Sequence, residues 1–374
     1  MSPNESDLLS EVERVARDVV GPRAIQVDAS AAFPKASVDA LAKAGVLGAM
    51  SARDAGGLGF GPRQGAAIVE RLARECPSTA MILTMHWSAV AVLEKFGPLE
   101  LRREVAKDRL VTLAFSEAGS RSHFWAPVGT ATRDGASVRL DAKKSWATSA
   151  NHADYVWSSK PLGAEGMSTI WFVPRTTPGL SVGPAFDGLG LRGNDSSPVT
   201  AAGAVVPESA RLGADGEGFK IMMEAVLPWF QVLGSACSAG VMEGAVARAA
   251  AHCSSAKFDH LGSTLRDLPT IRAYLARMRV LTDMVKALLA DTISAMEAGR
   301  ADTMLRVLEV KAAAGETSTN VLDLAMRVCG GAAFRKEVGV ERLFRDARAS
   351  TVMAPTTDVL YDFIGKAVTG LDLF

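Results

Sequence analysis

Two short stretches of this chain carry residue types at spacings that can do chemistry. The first is Leu113-Ala-Phe-Ser-Glu-Ala-Gly-Ser-Arg-Ser122, an apolar run that opens into a turn rich in hydroxyls and backbone N–H groups. The second is Lys144-Ser-Trp-Ala-Thr-Ser149, where Trp146 and Thr148 stand two residues apart and so face the same way on a strand. A flat aromatic surface beside a hydroxyl, with free donors close by, suits a planar, hydrogen-bonding cofactor with an anionic tail. The plainer reading of the same residues is two strands of a β-domain with one core tryptophan.

The elements that must position these stretches follow from periodicity. Residues 5–110 read as helices. Leu8, Leu9, Val12, Val15, Ala16 and Val19 mark one helical face, Phe33-Pro34 interrupts it, and Val38, Leu41, Ala42 and Val46 restart it. Gly56-Gly-Leu-Gly-Phe-Gly61 has no strand before it and matches no phosphate-binding spacing, so it reads as a turn between helices. Helices resume over 64–76 and 78–96, and His86 and Trp87 inside the second read as core. From Leu110 to about Leu212, short alternating runs such as Val138-Arg-Leu-Asp and Thr169-Ile-Trp-Phe-Val are separated by Asp134-Gly135 and Pro178-Gly179. That texture is an antiparallel β-domain. Ala- and Leu-rich segments over roughly 219–256, 267–299, 302–328 and 356–369 then read as four helices of a bundle. The expected organisation is α+β: an N-terminal all-α domain over 1–110, a middle β-domain over 111–212 and a C-terminal α-helical bundle domain over 213–374.

Composition narrows the function classes. The 374 residues suffice for two or three domains with ample core. Lysine plus arginine and aspartate plus glutamate each number 41, so no basic field draws the chain to nucleic acid or an anionic membrane. No apolar run approaches the ~20 residues of a membrane span, and the polar, acidic start is unlike a signal peptide. Cys76, Cys237, Cys253 and Cys329 are scattered without Cys-x-x-Cys spacing. Neither disulfides nor a structural metal site is expected, which fits a reducing cytoplasm.

Taken together, the motifs resemble those of the acyl-CoA dehydrogenase family. That family carries a Thr-Glu-Pro-x-Ala-Gly-Ser-Asp loop followed by a Lys-x-Trp-Ile-Thr-Asn strand. Here Ser116 to His123 is similar to the loop and Lys144 to Ser149 to the strand. The likeness continues through Gly188-Leu-Gly-Leu-Arg-Gly193, Val206-Pro207, Gly216-Glu-Gly-Phe219, Cys329-Gly-Gly-Ala-Ala-Phe334 and Glu341-Arg-Leu-Phe-Arg-Asp-Ala-Arg348. It covers nearly the whole chain, in order. The motif set is specific to the family's fold and flavin site, not to one reaction.

The resemblance implies the acyl-CoA dehydrogenase-like fold, with FAD between the middle domain and the bundle. It implies that Trp146 covers the flavin ring and that Thr148, with Ser149 beside it, bonds the ring edge. Leu113, Phe115 and Ser116 would add apolar contact and hydrogen bonds, and Ser122 would meet the cofactor or the thioester's phosphopantetheine arm. Thr356 belongs to the same set. The helix carrying His86 and Ser88 would line the far end of the acyl pocket, with both as polar groups there. Phe258, Arg327, Gly330 and Gly331 fall where the family completes a neighbouring subunit's FAD site, which implies a homodimer or homotetramer.

Several positions depart from the family. Its pyrophosphate-binding Arg position is Ser255, while the Gln before its Gly-Gly becomes Arg327, so one donor is lost and a cation appears. The Glu that takes the substrate's α-proton becomes Ala354, within Val352-Met-Ala-Pro-Thr356. The alternative site for that Glu, on the first bundle helix, becomes Trp229, and Phe230 replaces an Arg that holds CoA. Without a base, an acyl thioester's α-proton is too weakly acidic, and a positioned base is worth about 10²–10⁴-fold. Three functions therefore stand. The chain dehydrogenates or oxidises an unusual acyl thioester with a base from elsewhere, candidates being Asp358, Glu117 and His86. Alternatively it is a flavin-dependent monooxygenase, which needs no α-proton base. Or it is a catalytically silent member, against which the retained flavin-loop residues argue. The lost CoA-binding Arg favours a thioester on an acyl carrier protein, as in dehydrogenases of polyketide extender-unit pathways.

Overall fold

The structure, a computed structural model, describes residues 5–121 and 123–373. Ser122 therefore lies outside the described residues. Six helices come first: α1 (Glu5–Val15), α2 (Gly21–Ser30), α3 (Lys35–Lys43), α4 (Pro62–Ala73), α5 (Pro77–Phe96) and α6 (Leu99–Lys107). Pro62 and Pro77 each sit in a first helical turn, where a missing N–H costs nothing. Helix α5 is buried on almost every side, so its sequence has no polar face. Gly56–Gly61 forms the turn before α4.

Eight strands follow: β1 (Val111–Ala114), β2 (Thr130–Asp134), β3 (Ser137–Ala147), β4 (Asp154–Ser159), β5 (Thr169–Val173), β6 (Leu180–Val182), β7 (Ser197–Pro207) and β8 (Arg211–Leu212). They form two four-stranded sheets, ordered β1-β4-β5-β8 and β2-β3-β7-β6. Inward side chains including Val138, Leu140, Tyr155, Trp157, Trp171 and Val199 make one cluster in this domain. The pairing is antiparallel, as the alternation predicts, except that β1 runs parallel to β4, Val111 opposite Asp154. A parallel partner needs a crossover, and the chain makes it through β2 and β3 of the other sheet.

The bundle begins with α7 (Gly218–Ile221), which passes through a π turn at Met222–Val226 into α8 (Leu227–Ser255). A small hairpin of β9 (Lys257–Phe258) and β10 (Ser263–Thr264) leads to α9 (Pro269–Ala298) and α10 (Thr303–Cys329). Helices α11 (Val340–Ala347), α12 (Ala349–Val352) and α13 (Thr357–Thr369) end the chain. Helix α8 packs on α4, α5, α9 and α10, which makes it the central strut of the molecule. By composition Gly218–Ser255 is apolar and long enough to cross a membrane, but 83% of that apolar window is buried inside the protein.

Candidate active site

The three domains enclose one cavity of about 670 Å³. The middle domain supplies Leu113, Phe115, Ser116, Trp146 and Thr148, and the loop over 186–196 supplies Phe186, Gly190 and Asn194. Met85 enters from α5, Val226, Leu227 and Phe230 from the first bundle helix, and Val352, Met353 and Ala354 from the segment after α11. The two stretches that carry chemistry in the sequence thus share one wall.

Trp146 and Thr148 reach that wall by an unexpected route. The β3–β7 register shifts between Lys144 and Ala147, and Trp146 takes a left-handed φ of 59°. This bulge lifts Trp146 out of the ladder, and Thr148 lies just past the strand end. Plain two-residue alternation therefore does not explain why both face the cavity. Trp146 is 59% exposed and stacks on Phe186 with ring centroids 4.1 Å apart. The buried Thr148 hydroxyl has only a long 3.4 Å contact to Ser196 Oγ. Ser149, whose buried hydroxyl has no partner among the described residues, does not line the cavity.

Beneath this wall lies a buried ion pair. Lys144 Nζ is 2.6 Å from Glu117 Oε1 and donates to the Ser158 carbonyl at 2.7 Å and the Ser158 hydroxyl at 3.0 Å. Glu117 also accepts the backbone N–H groups of Val128 at 2.6 Å and Gly129 at 3.0 Å. Burial pushes the Lys144 ammonium down to about 8, while Glu117 opposes that shift. Glu117 touches the cavity, yet its oxygens are committed to this knot, so it is a frame member and not a free proton acceptor.

The other two candidate bases lie away from the cavity lining. His86 is fully buried beside the loop at Leu47: its Nε2 is 3.1 Å from the Leu47 carbonyl and its Nδ1 accepts the Val111 N–H at 3.2 Å. Burial pushes its pKa down to about 4, so it is a neutral bridge between the helical domain and β1. Ser88 turns back onto the Thr84 carbonyl. The helix meets the cavity through Met85 instead. Asp358 is exposed in the first turn of α13, Thr356 stands at that helix's N-cap position without a side-chain capping bond, and neither lines the cavity. Ala354 does line it, so the position where the family has its Glu faces the cavity with a methyl group. On α8, Phe230 reaches the cavity, whereas Trp229 packs into the core near Gly65. Both are apolar.

Phe258, Arg327, Gly330 and Gly331 sit at the far end of the bundle, outside the cavity. Arg327 is exposed, donates to the Tyr274 hydroxyl at 2.8 Å and lies 4.9 Å over its ring. Gly330 and Gly331 have open space where a side chain would be.

A clasp joining all three domains holds the 186–196 loop. Asp346 of α11 accepts the Leu191 N–H at 2.6 Å, and burial pushes its carboxyl up to about 6. Arg345 donates to Asp28 of α2 at 2.5 Å and to the Leu189 carbonyl at 3.0 Å. A Cβ on Gly190 would lie 2.4 Å from the Arg345 carbonyl, so only glycine permits this approach. Sequence reasoning singled out both motifs without seeing that they bind each other. It also missed Phe186, Asn194 and Ser196, which flank the Gly188–Gly193 motif by a few residues.

A helical domain, a two-sheet β-domain and a bundle around a largely apolar cavity form the architecture of the acyl-CoA dehydrogenase class of flavin-dependent oxidoreductases. The acyl-CoA dehydrogenase N-terminal, middle and C-terminal domain families match residues 2–109, 112–203 and 216–369. The chain belongs to the acyl-CoA dehydrogenase family, whose cofactor is FAD. It is 28% identical to cyclohex-1-ene-1-carbonyl-CoA dehydrogenase of Geobacter metallireducens over 370 residues, covering 96% of each chain. Its fold superposes on butyryl-CoA dehydrogenase from Megasphaera elsdenii with a TM-score of 0.91 at 22% identity, covering 99% of this chain and 100% of that one. It also superposes on the prolyl acyl carrier protein oxidase AnaB, with a TM-score of 0.88 at 19% identity and coverage of 98% and 99%.

The residues present fit a flavin. The cavity wall offers an exposed indole face at Trp146 and an underused hydroxyl at Thr148.

Proposed function

We propose that this chain oxidises the acyl chain of a thioester, with the cavity holding the acyl group against FAD. The observation that carries the reading is the cavity's two unlike walls, one with an aromatic plate and hydroxyls, the other apolar. When bound, the flavin supplies a two-electron acceptor for hydride from the acyl chain. Trp146 would cover its ring, Thr148 would bond its edge with Ser149 behind it, and Leu113, Phe115 and Ser116 would flank it. Met85, Phe124, Leu227, Phe230 and Met353 exclude water and take an apolar acyl group. Arg121, exposed at the rim and in no ion pair among the described residues, suits the phosphate of the thioester's arm.

Nothing at position 354 can accept a proton, so unactivated acyl-CoA should react slowly. The α-proton then leaves to a basic group of the substrate itself or to solvent at the mouth. The apolar Phe230 and the likeness to a carrier-protein oxidase support a thioester on an acyl carrier protein. Arg327, Gly330 and Gly331, exposed at the bundle end, support a homodimer or homotetramer in which they complete a partner's FAD site. Four buried free cysteines suit a reducing compartment such as the cytoplasm.

A second reading, flavin-dependent monooxygenation, draws on the same missing carboxylate, because that chemistry needs no α-proton base. Anaerobic stopped-flow absorbance separates the two. Bleaching of oxidised flavin by butyryl-CoA or an acyl-carrier thioester supports dehydrogenation. No bleaching by any thioester, with an oxygenated product after reduction and exposure to oxygen, assigns the second reading. Sedimentation of an FAD-loaded monomer at micromolar concentration would exclude the shared site.

A further inference from the structure

Lys311 lies inside α10 and is only 3% exposed. Among the described residues it forms no ion pair. Its ammonium donates instead to three backbone carbonyls: Pro355 at 2.6 Å, Met353 at 3.0 Å and Ser350 at 3.3 Å. An ammonium has three protons, and here three acceptors meet them. Burial alone pushes this group down to about 7, and the three carbonyl dipoles pull the other way by holding the proton.

The contact is part of a seat built along one stripe of α10. One turn on from Lys311, Gly315 lets the segment come down on the helix: a Cβ there would be 3.3 Å from Thr357 Oγ1 and 3.6 Å from the Ser350 carbonyl. One turn further, Ser318 Oγ is 3.4 Å from Ser350 Oγ. Positions i, i+4 and i+7 share a helix face. The seated segment has few other backbone partners, because α12 is a four-residue helix that ends at Val352. Yet Val352, Met353 and Ala354 are the residues it turns toward the cavity.

We propose that Lys311 is a positioning residue of the acyl site, fixing the backbone of residues 350–355 so that Val352, Met353 and Ala354 align the acyl chain. The substrate half of this inference rests on the reading of the cavity as an acyl-thioester site. Lys311 touches neither substrate nor cofactor and acts through the segment it holds. A buried lysine costs desolvation, and a methionine of similar length would fill the space without it. The lysine is therefore not there for packing.

The test uses FAD-loaded wild type, Lys311→Met and Lys311→Arg. Hydrogen exchange is followed at amides 350–357, with α8 amides as internal reference, and butyryl-CoA is titrated anaerobically against the flavin absorbance. Losing three charge-assisted hydrogen bonds should speed exchange in 350–357 by about tenfold or more in Lys311→Met, with α8 unmoved. Butyryl-CoA affinity should fall about fivefold or more while FAD affinity stays within about twofold. Lys311→Arg, which keeps the charge and the donors, should recover part of both losses. If Lys311→Met does not fold, Lys311→Gln gives the same comparison with one amide in place of the ammonium. Unchanged exchange over 350–357 overturns the proposal. So does a loosened segment with unchanged thioester affinity, which would make Lys311 a purely structural strut. A wild type whose flavin ignores every thioester defeats the acyl-site reading and the substrate half with it, while the exchange experiment still reports on the strut.

Discussion

Ala354→Glu should create α,β-dehydrogenation of a simple acyl-CoA where wild type shows little. Ala354 is on the cavity wall, and the Lys311 ammonium holds the carbonyls on either side of it. A carboxylate there would be pushed up by the apolar surroundings and down by that ammonium, which leaves it in the range of a general base. A well-placed base is worth about 10²–10⁴-fold, or about 2.7–5.5 kcal/mol of barrier. Against this stands Pro355, whose ring restricts the backbone of residue 354. A misplacement of about an ångström costs about 10²-fold, so the single variant should gain between nothing and about 10²-fold. Ala354→Glu with Pro355→Gly frees the backbone but keeps the carbonyl that Lys311 holds, and should recover the full range. The assay is the anaerobic rate of flavin bleaching by butyryl-CoA at saturation, over pH 5 to 9. A double variant that binds FAD and butyryl-CoA but bleaches no faster than wild type would refute the claim that position 354 faces the α-carbon. A wild type that already bleaches as fast as the variant would place the base elsewhere.

Three further outcomes are expected. Breaking the buried pair with Lys144→Met or Glu117→Gln should each cost about 3–5 kcal/mol in urea unfolding, since each strands a buried partner; the double variant should cost clearly less than the sum, and simple additivity would show that the two do not interact. Trp146→Ala with Thr148→Ala should weaken FAD binding at least about tenfold by fluorescence titration, since a lost stack and hydrogen bond exceed ~1.4 kcal/mol together; unchanged affinity removes both from the flavin site. The folded His86 pKa of about 4 lies below the ordinary 6.5, so the unfolded chain binds more protons between those values and stability falls as pH drops through that window. A His86→Gln variant should flatten this acid loss by about 2–4 kcal/mol between pH 7 and pH 4, and an identical acid slope in urea melts would contradict it.

The order of elements was legible because helical and strand periodicities are local properties, and the long helices α5, α8, α9 and α10 repeat them many times. Trp146 and Thr148 were legible as residues but not as geometry: a left-handed tryptophan at a bulge leaves no mark in an alternation pattern. His86 looked like a candidate base because its partners are the Leu47 carbonyl and the Val111 N–H, which come from distant segments. Glu117 looked free for the same reason, since Lys144 and Val128 are remote in sequence. Lys311 did leave a signal, as a lone charge in Val310-Lys-Ala-Ala-Ala314. A lysine on an otherwise apolar face must either reach solvent or find buried acceptors, and that question could have been asked without coordinates.

The π turn at Met222–Val226 carries a consequence for how this site can change over time. The helix containing it is anchored twice: Gly218 donates its N–H to the Ser168 carbonyl of the sheet at 2.7 Å, and α8 is locked into the bundle. A π turn holds one residue more than an α turn, so it works as a phase adjuster between these moorings. Losing a single residue there, such as the solvent-facing Glu224, would turn the π turn into plain α-helix and leave both moorings in phase. Val226, the last residue of the turn, lines the cavity. A one-residue deletion, ordinarily ruinous in a core helix, would here be confined to the turn, where Val226 and its neighbours would repack at the cavity wall. The contour of the cavity can thus be altered by chain length as well as by side chain.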